Sequence, residues 1–240
     1  MPEIWTDRKE LHAAFITREI EKSGARFESV TDPGHSGGAL RALENNRSII
    51  SGYFDRPDLT LCMAKQVHGP QVLYTDKPGL AGEADGLVTD RPGLAVGVLV
   101  ADCAALLLAD PVNKVVAAVH AGWRGAIAGI IPEAVRQMEN IGAEPDLIQA
   151  YVSPCISLEA FEVGEEVASR FPERFVDRTG HKPHVDLQEF IYEEILKNGI
   201  SGPSVIRDTA CTFRNEMLLH SHRRDGFRSG RMLGTVFVTE

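Results

Sequence analysis

The chain is short of cysteine, of bulky aromatics and of positive charge. Cysteine occurs four times in 240 residues, at Cys62, Cys103, Cys155 and Cys211, with no Cys-x-x-Cys pair. Such scatter does not read as a disulfide framework, and reduced thiols are expected. Lys and Arg number 25 against 34 Asp and Glu, a formal net charge of −9. There is no Lys/Arg run and no interleaving of aromatic with basic residues. A nucleic-acid partner is therefore not expected, because such binding rests on neutralising phosphates. A small anion is not excluded, since one local Arg cluster holds a phosphate on an acidic protein. No apolar run approaches the ~20 residues of a membrane helix, and the opening "MPEIWTDRKE" lacks a leader pattern, so a cytoplasmic protein without membrane contact is expected. Repeats and low-complexity linkers are also missing. With 43% hydrophobic residues the chain has enough apolar surface for a real core, and residues 1–240 read as one domain.

What is present is a mixture of strand and helix signals. "LAVGVLV" (94–100) and "VVAAV" (115–119) are β-branched apolar runs bounded by turn residues. They read as buried strands, neighbours in one sheet, with "DPVN" (110–113) as the turn between them. Residues 120–142 carry apolar positions at helical spacing, with Pro132 marking a start or kink and Gly142 a stop. Residues 157–171 and 186–200 read as two further helices, and "GRMLGTVFVTE" ends in a strand. Strands and helices mix without strict βαβ alternation, which predicts an α+β fold.

The run "VLVADCAALLLAD" (98–110) is apolar except for Asp102 and Cys103. An unpaired carboxylate inside a core is costly, so the strand is expected to end at Asp102. His68 in "KQVHGPQV", Cys103 and His120 offer imidazole and thiolate, the donors zinc prefers, and three protein ligands with an open fourth position describe a catalytic metal site. Separations of 35 and 17 residues match no zinc-finger pattern. A Cys–His pair acting without metal, and a buried Cys with a merely satisfied His, remain alternatives at this point. "HAGWRG" (120–125) suits an anion: Gly122 and Gly125 permit close backbone approach, and Arg124 brings a forked donor. "SHRRDG" (221–226) and Arg47 supply further cations that read first as surface. Asp85 reads as a turn residue, with ligand orienter as the alternative.

"QVHG" (66–69), "EADGLVT" (83–89), "ADC" (101–103), "HAGWRG", "SPCIS" with "FEVG" (153–164), "DTACT" (208–212) and "RRDGFRSGRM" (223–232) resemble, in order, the laccase-domain family, also called multicopper polyphenol oxidase-like or YfiH. The resemblance spans nearly the whole chain. It implies a layered sandwich with mixed β-sheets in the middle and helices outside, and a single zinc on His68, Cys103 and His120. It also implies a purine nucleoside phosphorylase, taking adenosine, inosine or methylthioadenosine with phosphate, and an adenosine deaminase. On this reading Asp102 and Arg47 are catalytic, Asp102 carrying a proton, while Arg124 and Gly122 bind phosphate. Peptidoglycan-precursor editing and copper-dependent phenol oxidation are the alternatives. The latter fits less well, because only two of eight histidines lie in the motifs. A structural zinc closed by a fourth ligand such as Cys155 is the non-enzymatic reading. The sequence departs from the family in two places. Residues 17–31 carry Ile20 and Glu21 where glycines are expected, and Ala105 stands where a proline is usual. The oligomeric state is left open.

Overall fold

A computed structural model describes residues 4–5, 10–17 and 39–240. The variant segment 17–31 lies, apart from Thr17, outside them. Two mixed sheets face each other. The first, in the order β1-β13-β6-β2-β4, is made of β1 (Leu11–Ile16), β2 (Thr60–Lys65), β4 (Gly79–Glu83), β6 (Leu94–Val100) and β13 (Met232–Val238). The second, in the order β12-β9-β7-β8-β5-β3, is made of β3 (Val72–Tyr74), β5 (Gly86–Thr89), β7 (Ala104–Asp110), β8 (Val115–Ala121), β9 (Gln149–Val152) and β12 (Val205–Arg207). A two-stranded ribbon, β10 (Val176–Asp177) and β11 (His184–Val185), stands apart. The helices are α1 (Ala39–Phe54), α2 (Trp123–Ile127), α3 (Ile130–Glu139), α4 (Glu165–Ala168), α5 (Leu187–Lys197) and α6 (His222–Asp225).

Strand alternation builds the layers. On β7, Ala105, Leu107 and Ala109 face the first sheet and meet Val96, Val98, Val100 and Val236. Leu106 and Leu108 face the other way, onto Ile131 and Val135 of α3 and Ile191 and Ile195 of α5. The far side of the first sheet, with Leu61, Met63, Leu99 and Phe237, is covered by Ile49, Ile50 and Tyr53 of α1. The result is helix, sheet, sheet, helix, and the expected sandwich is found. Because β6, β7 and β8 are buried on both faces, their sequences are continuous apolar runs rather than alternating ones.

Two expectations need correction. Residues 94–100 and 115–119 are not neighbours, since β6 and β8 belong to different sheets. The chain leaves the first sheet after Val100 and turns through residues 101–103. It enters the second sheet as β7, which pairs antiparallel with β8 through the 110–113 turn. The run 98–110 is thus two strands with a break at Asp102, whose φ of 83° no regular strand tolerates. The helix expected over 157–171 is only a 3-10 turn at Leu158–Ala160 and the four-residue α4. Gly164, at its middle, and Pro172, just past its end, interrupt its apolar periodicity. The 120–142 helix is two helices, α2 and α3, separated at Gly129 with φ 92°, and Pro132 lies in the first turn of the second, where its missing N–H costs nothing. The helix expected at 186–200 is α5, capped by the Asp186 carboxylate accepting from the Glu189 amide.

Candidate metal centre and anion cavity

The residues of the candidate site lie at or just beyond strand ends, at one rim of the sandwich. His68 follows β2, Asp102 and Cys103 join β6 to β7, and His120 is the penultimate residue of β8. Asp85 precedes β5, and Arg231 precedes β13. The sheet register explains the convergence. Ala105 lies opposite His120, and Cys103, two residues earlier, shares its face of the sheet. Cys103 and His120 are therefore diagonal neighbours across one strand pair. His68 arrives from the other sheet, and its ring meets that of His120 edge-on at 4.8 Å between centroids. Ligand atoms of His68, Cys103 and His120 all lie within 4.8 Å of one another.

Asp85 holds both histidines, so the turn reading gives way to the orienter reading. Its fully buried carboxylate accepts from His120 Nδ1 at 2.7 Å. It also accepts from the amides of Val67, His68 and Gly69 at 3.0, 2.9 and 2.7 Å. Those three amides fix a loop in which His68 adopts φ 62°, a strained value for a side-chain-bearing residue. Since the carboxylate only accepts, Nδ1 of His120 carries the proton and Nε2 is left as the donor atom, the arrangement that fixes ligand histidines. Gln66 adds a clamp where the β2–β6 ladder has ended. Its amide donates to the Leu99 carbonyl and accepts from the Leu99 N–H, both at 2.8 Å, tying the His68 loop to the strand that leads to Cys103.

The electrostatics suit a cation. Partial desolvation of the His68 ring lowers its pKa, with the nearby His120 adding to the effect, and a neutral imidazole is what a metal needs. Burial also penalises protonated His120, but its interactions with Cys103 and Asp85 outweigh it and raise its pKa to about 9, so this place favours positive charge. Asp85 is held low despite its burial by its bonds to His120 and the loop amides. The donor set fits one soft divalent ion. Cys155 is not part of the group; its thiol faces the Ile156 carbonyl, and burial pushes its pKa up. Among the described residues no fourth protein ligand closes the site.

Gly122 makes room for the sulfur. A Cβ there would lie 2.8 Å from Cys103 Sγ and 3.4 Å from His120 Nε2, and its own φ is ordinary at −79°. Gly125 does the same for the His68 loop, with a Cβ only 2.9 Å from the Gly69 carbonyl. Ala105 uses the N–H that a proline lacks, donating to Ser153 Oγ at 2.9 Å.

Around the triad is an open cavity of about 410 Å³, within the usual size for small-molecule sites. Three arginines line it: Arg124, Arg223 and Arg231. Arg124 stacks 4.6 Å above the Trp123 ring. Arg223 donates to the Glu162 carbonyl, and Arg231 to the carbonyls of Ser229 and Gly230. Among the described residues none of the three pairs with a carboxylate, whereas Arg47, Arg56, Arg136, Arg174, Arg178, Arg207 and Arg224 all do. On a chain of net charge −9, unpaired guanidinium groups gathered in one cavity favour an anionic ligand. Phe161 and Phe227 add aromatic surface, the latter fully exposed at the mouth.

Asp102 and Arg124 both line the cavity. Arg47 is on α1, bonded to Glu44 and the Leu59 carbonyl, and is not among the lining residues. Sequence reading passed over Arg231 and treated Arg223 as surface. The signal was the density of arginine in "RRDGFRSGR" within an acidic chain.

The family model described as multi-copper polyphenol oxidoreductase laccase matches residues 12–239. A Deinococcus radiodurans protein named purine nucleoside phosphorylase is 39% identical over 228 residues, covering 93% of this chain and 87% of its own. A Streptomyces coelicolor protein of the same name is 32% identical, covering 95% of each chain. The crystal structure of YlmD from Geobacillus stearothermophilus superposes with a TM-score of 0.84 at 25% identity, covering 97% of this chain and 93% of that one. No helix among the described residues is long and apolar enough to cross a membrane.

Proposed function

The chain belongs to the family described as multi-copper polyphenol oxidoreductase laccase, and we propose that within it this protein is a zinc-dependent purine nucleoside phosphorylase with a second, deaminating activity on adenosine. The observation that carries the proposal is the meeting of a three-ligand metal group and three carboxylate-free arginines in one cavity with aromatic walls. The names of the two bacterial relatives support it.

In this reading Arg124, Arg223 and Arg231, beside the Gly122 turn, hold phosphate, and the purine lies against the aromatic wall. A phosphate oxygen forms a bond to C1′ of the ribose as the C1′–N9 bond breaks. The bonding pair leaves with the base, which takes up a proton, and ribose 1-phosphate results. The arginines orient the nucleophile, so much of the gain is positional, and they offset its charge as it closes on the sugar. His68, Cys103 and His120 would hold a zinc ion, which would supply Lewis acidity. One thiolate, two imidazoles and an open position suit a single zinc, and the described residues gather no second cluster of histidines of the kind a multicopper centre uses. Arg47 is left out of the phosphate site because Glu44 already engages it outside the cavity.

The test is to incubate pure protein with adenosine, inosine or methylthioadenosine and phosphate, beside His68→Ala, Cys103→Ala and His120→Ala. Ribose 1-phosphate and free base are expected from the parent, together with inosine from adenosine and one equivalent of zinc by elemental analysis. Absence of all these products, or equal metal in all four proteins, refutes the reading.

A further inference from the structure

We propose that Asp102 is a positioning residue: it docks the arginine segment 221–231 onto the loop that carries Cys103, and so sets where phosphate sits relative to the metal group. The phosphate part of this rests on the function proposed above.

Both carboxylate oxygens of Asp102 are already engaged by the protein. Oδ1 accepts from the Thr212 hydroxyl at 2.7 Å, and Oδ2 from the Arg223 amide at 2.6 Å. These are charge-assisted bonds in a nearly buried place. Each oxygen keeps a further acceptor position, so it is the Asp102→Asn comparison below that separates an anchor from a proton carrier. The bonds also reach 110 and 121 residues along the chain, which suits an anchor. The anchored segment is laced together on its own account. Arg224 donates to the carbonyls of Thr212, Phe213 and Leu219 and pairs with Asp225, while Ser221 caps the Arg224 amide. Thr212, fully buried, bonds through its own amide to the Cys155 carbonyl. Asp102 is thus a direct side-chain tie between this laced unit and the turn bearing Cys103, added to the β13–β6 pairing of Met232 with Val100, and Arg223 lines the cavity beside it.

The identity of residue 102 fits this duty. Its φ of 83° favours Gly, Asn or Asp, and two acceptors are needed. Asparagine meets the geometry: its oxygen accepts from the Arg223 amide while its NH₂ donates to Thr212 Oγ1. It does not meet the needs of a proton carrier. The two duties therefore separate at one substitution.

The experiment compares metal-loaded parent, Asp102→Ala, Asp102→Asn and Thr212→Val. It measures inorganic phosphate binding by calorimetry, amide hydrogen exchange across 221–231, metal content, and turnover. Asp102→Ala is expected to raise the phosphate Kd about tenfold or more, the loss of a charged hydrogen bond, and to speed exchange in 221–231 with metal content unchanged. Asp102→Asn is expected to restore both readouts to within about twofold of the parent. Thr212→Val, which keeps the charge and the Arg223 bond, is expected to fall between, and it serves with Asp102→Asn if the alanine variant does not fold. The proposal is overturned if Asp102→Asn loses turnover about 100-fold with phosphate affinity and exchange at parental values, the signature of proton transfer. It is also overturned if Asp102→Ala or Thr212→Val leaves both readouts unmoved. A parent that binds no phosphate sinks the function proposed above; the exchange data still decide whether Asp102 holds the segment.

Discussion

Replacing Asp85 by asparagine changes one atom and almost no volume, yet it is expected to damage the metal centre more than the fold. Oδ1 of Asp85 serves His68 N and His120 Nδ1, and Oδ2 serves the amides of Val67 and Gly69. An asparagine keeps one of these oxygens. With it at the Oδ1 place, an NH₂ group faces two N–H donors of the His68 loop. Flipped, the NH₂ faces His120 Nδ1 and His68 N. Each buried donor left unsatisfied costs about 1–3 kcal/mol, but Val67 and His68 are exposed residues and their amides can turn to water. The loss of stability is therefore set at about 1–3 kcal/mol, a fall in Tm of roughly 2–10 °C for a chain of this size. Zinc affinity bears the larger share, because His68 loses its fixed backbone and His120 its fixed tautomer. Losing such a partner typically costs 10- to 100-fold. The assay is competition for Zn²⁺ against a chromophoric chelator on demetallated protein, with thermal melts alongside. An Asp85→Asn protein that binds zinc as tightly as its parent refutes the claim that this carboxylate orients the ligands.

Gly122→Ala is expected to cost about 1–3 kcal/mol and to cut zinc affinity at least about tenfold, because the new methyl occupies space held by Cys103 Sγ; elemental analysis and melts check both. Arg231→Ala and Arg124→Ala are each expected to raise the KM for phosphate about tenfold while leaving that for the nucleoside within about twofold, the loss of one charged hydrogen bond; initial rates at varied phosphate decide. Lysine at either place is expected to restore only part of the effect, since it lacks the fork. Phe227→Ala is expected to leave Tm unchanged, as its ring is fully exposed. It is expected to raise the nucleoside KM about 2- to 10-fold if the ring stacks on the base.

The layers of this fold were legible because burial writes itself into sequence. β6, β7 and β8 are continuous apolar runs since a helix or sheet covers each face, and α5 shows its cap and its apolar face together. What stayed hidden was long range. Nothing in "VLVADCAALLLAD" says that its two halves belong to different sheets. The break shows only as a charged residue at Asp102, and the destination of each half depends on strands far away in sequence. The helix expected at 157–171 failed for a local reason, a glycine at its middle and a proline just past its end. The metal triad was legible by residue type, but not the reason for its convergence, which is the β7–β8 register and the Gln66 clamp. Asp85 read as a turn because its partners, three amides of the His68 loop and the His120 ring on β8 35 residues away, are brought near only by the folded chain. Arg223 read as surface because a single arginine is usually solvated, and Arg231 was passed over. Only the structure shows that, among the described residues, their guanidinium groups, unlike those of Arg47 or Arg224, pair with no carboxylate.

The placement of these groups also explains how a stable sandwich can carry a costly site. A thiolate, two imidazoles and two buried carboxylates each oppose burial, and inside either sheet they would break ladders packed on both faces. At the rim, where strands end, loop amides are unpaired and free to answer them. Asp85 takes three amides of the His68 loop, and Asp102 takes the Arg223 amide and the Thr212 hydroxyl. Each carboxylate thereby replaces a missing ladder and also fixes a functional group: Asp85 the two histidines, Asp102 the arginine segment. The strained φ values of His68 and Asp102 fall at these same two joints, where several hydrogen bonds outweigh a cost of about 1–3 kcal/mol each. On this argument the site is stiff where ligands must stay in place, at Asp85. It can be adjusted along the 221–231 segment, which the side chain of Asp102 ties to the metal loop. Substitutions at Asp85 should therefore appear first in metal affinity, and those at Asp102 first in anion affinity. A variant set in which both move together would mean that the rim behaves as one rigid unit.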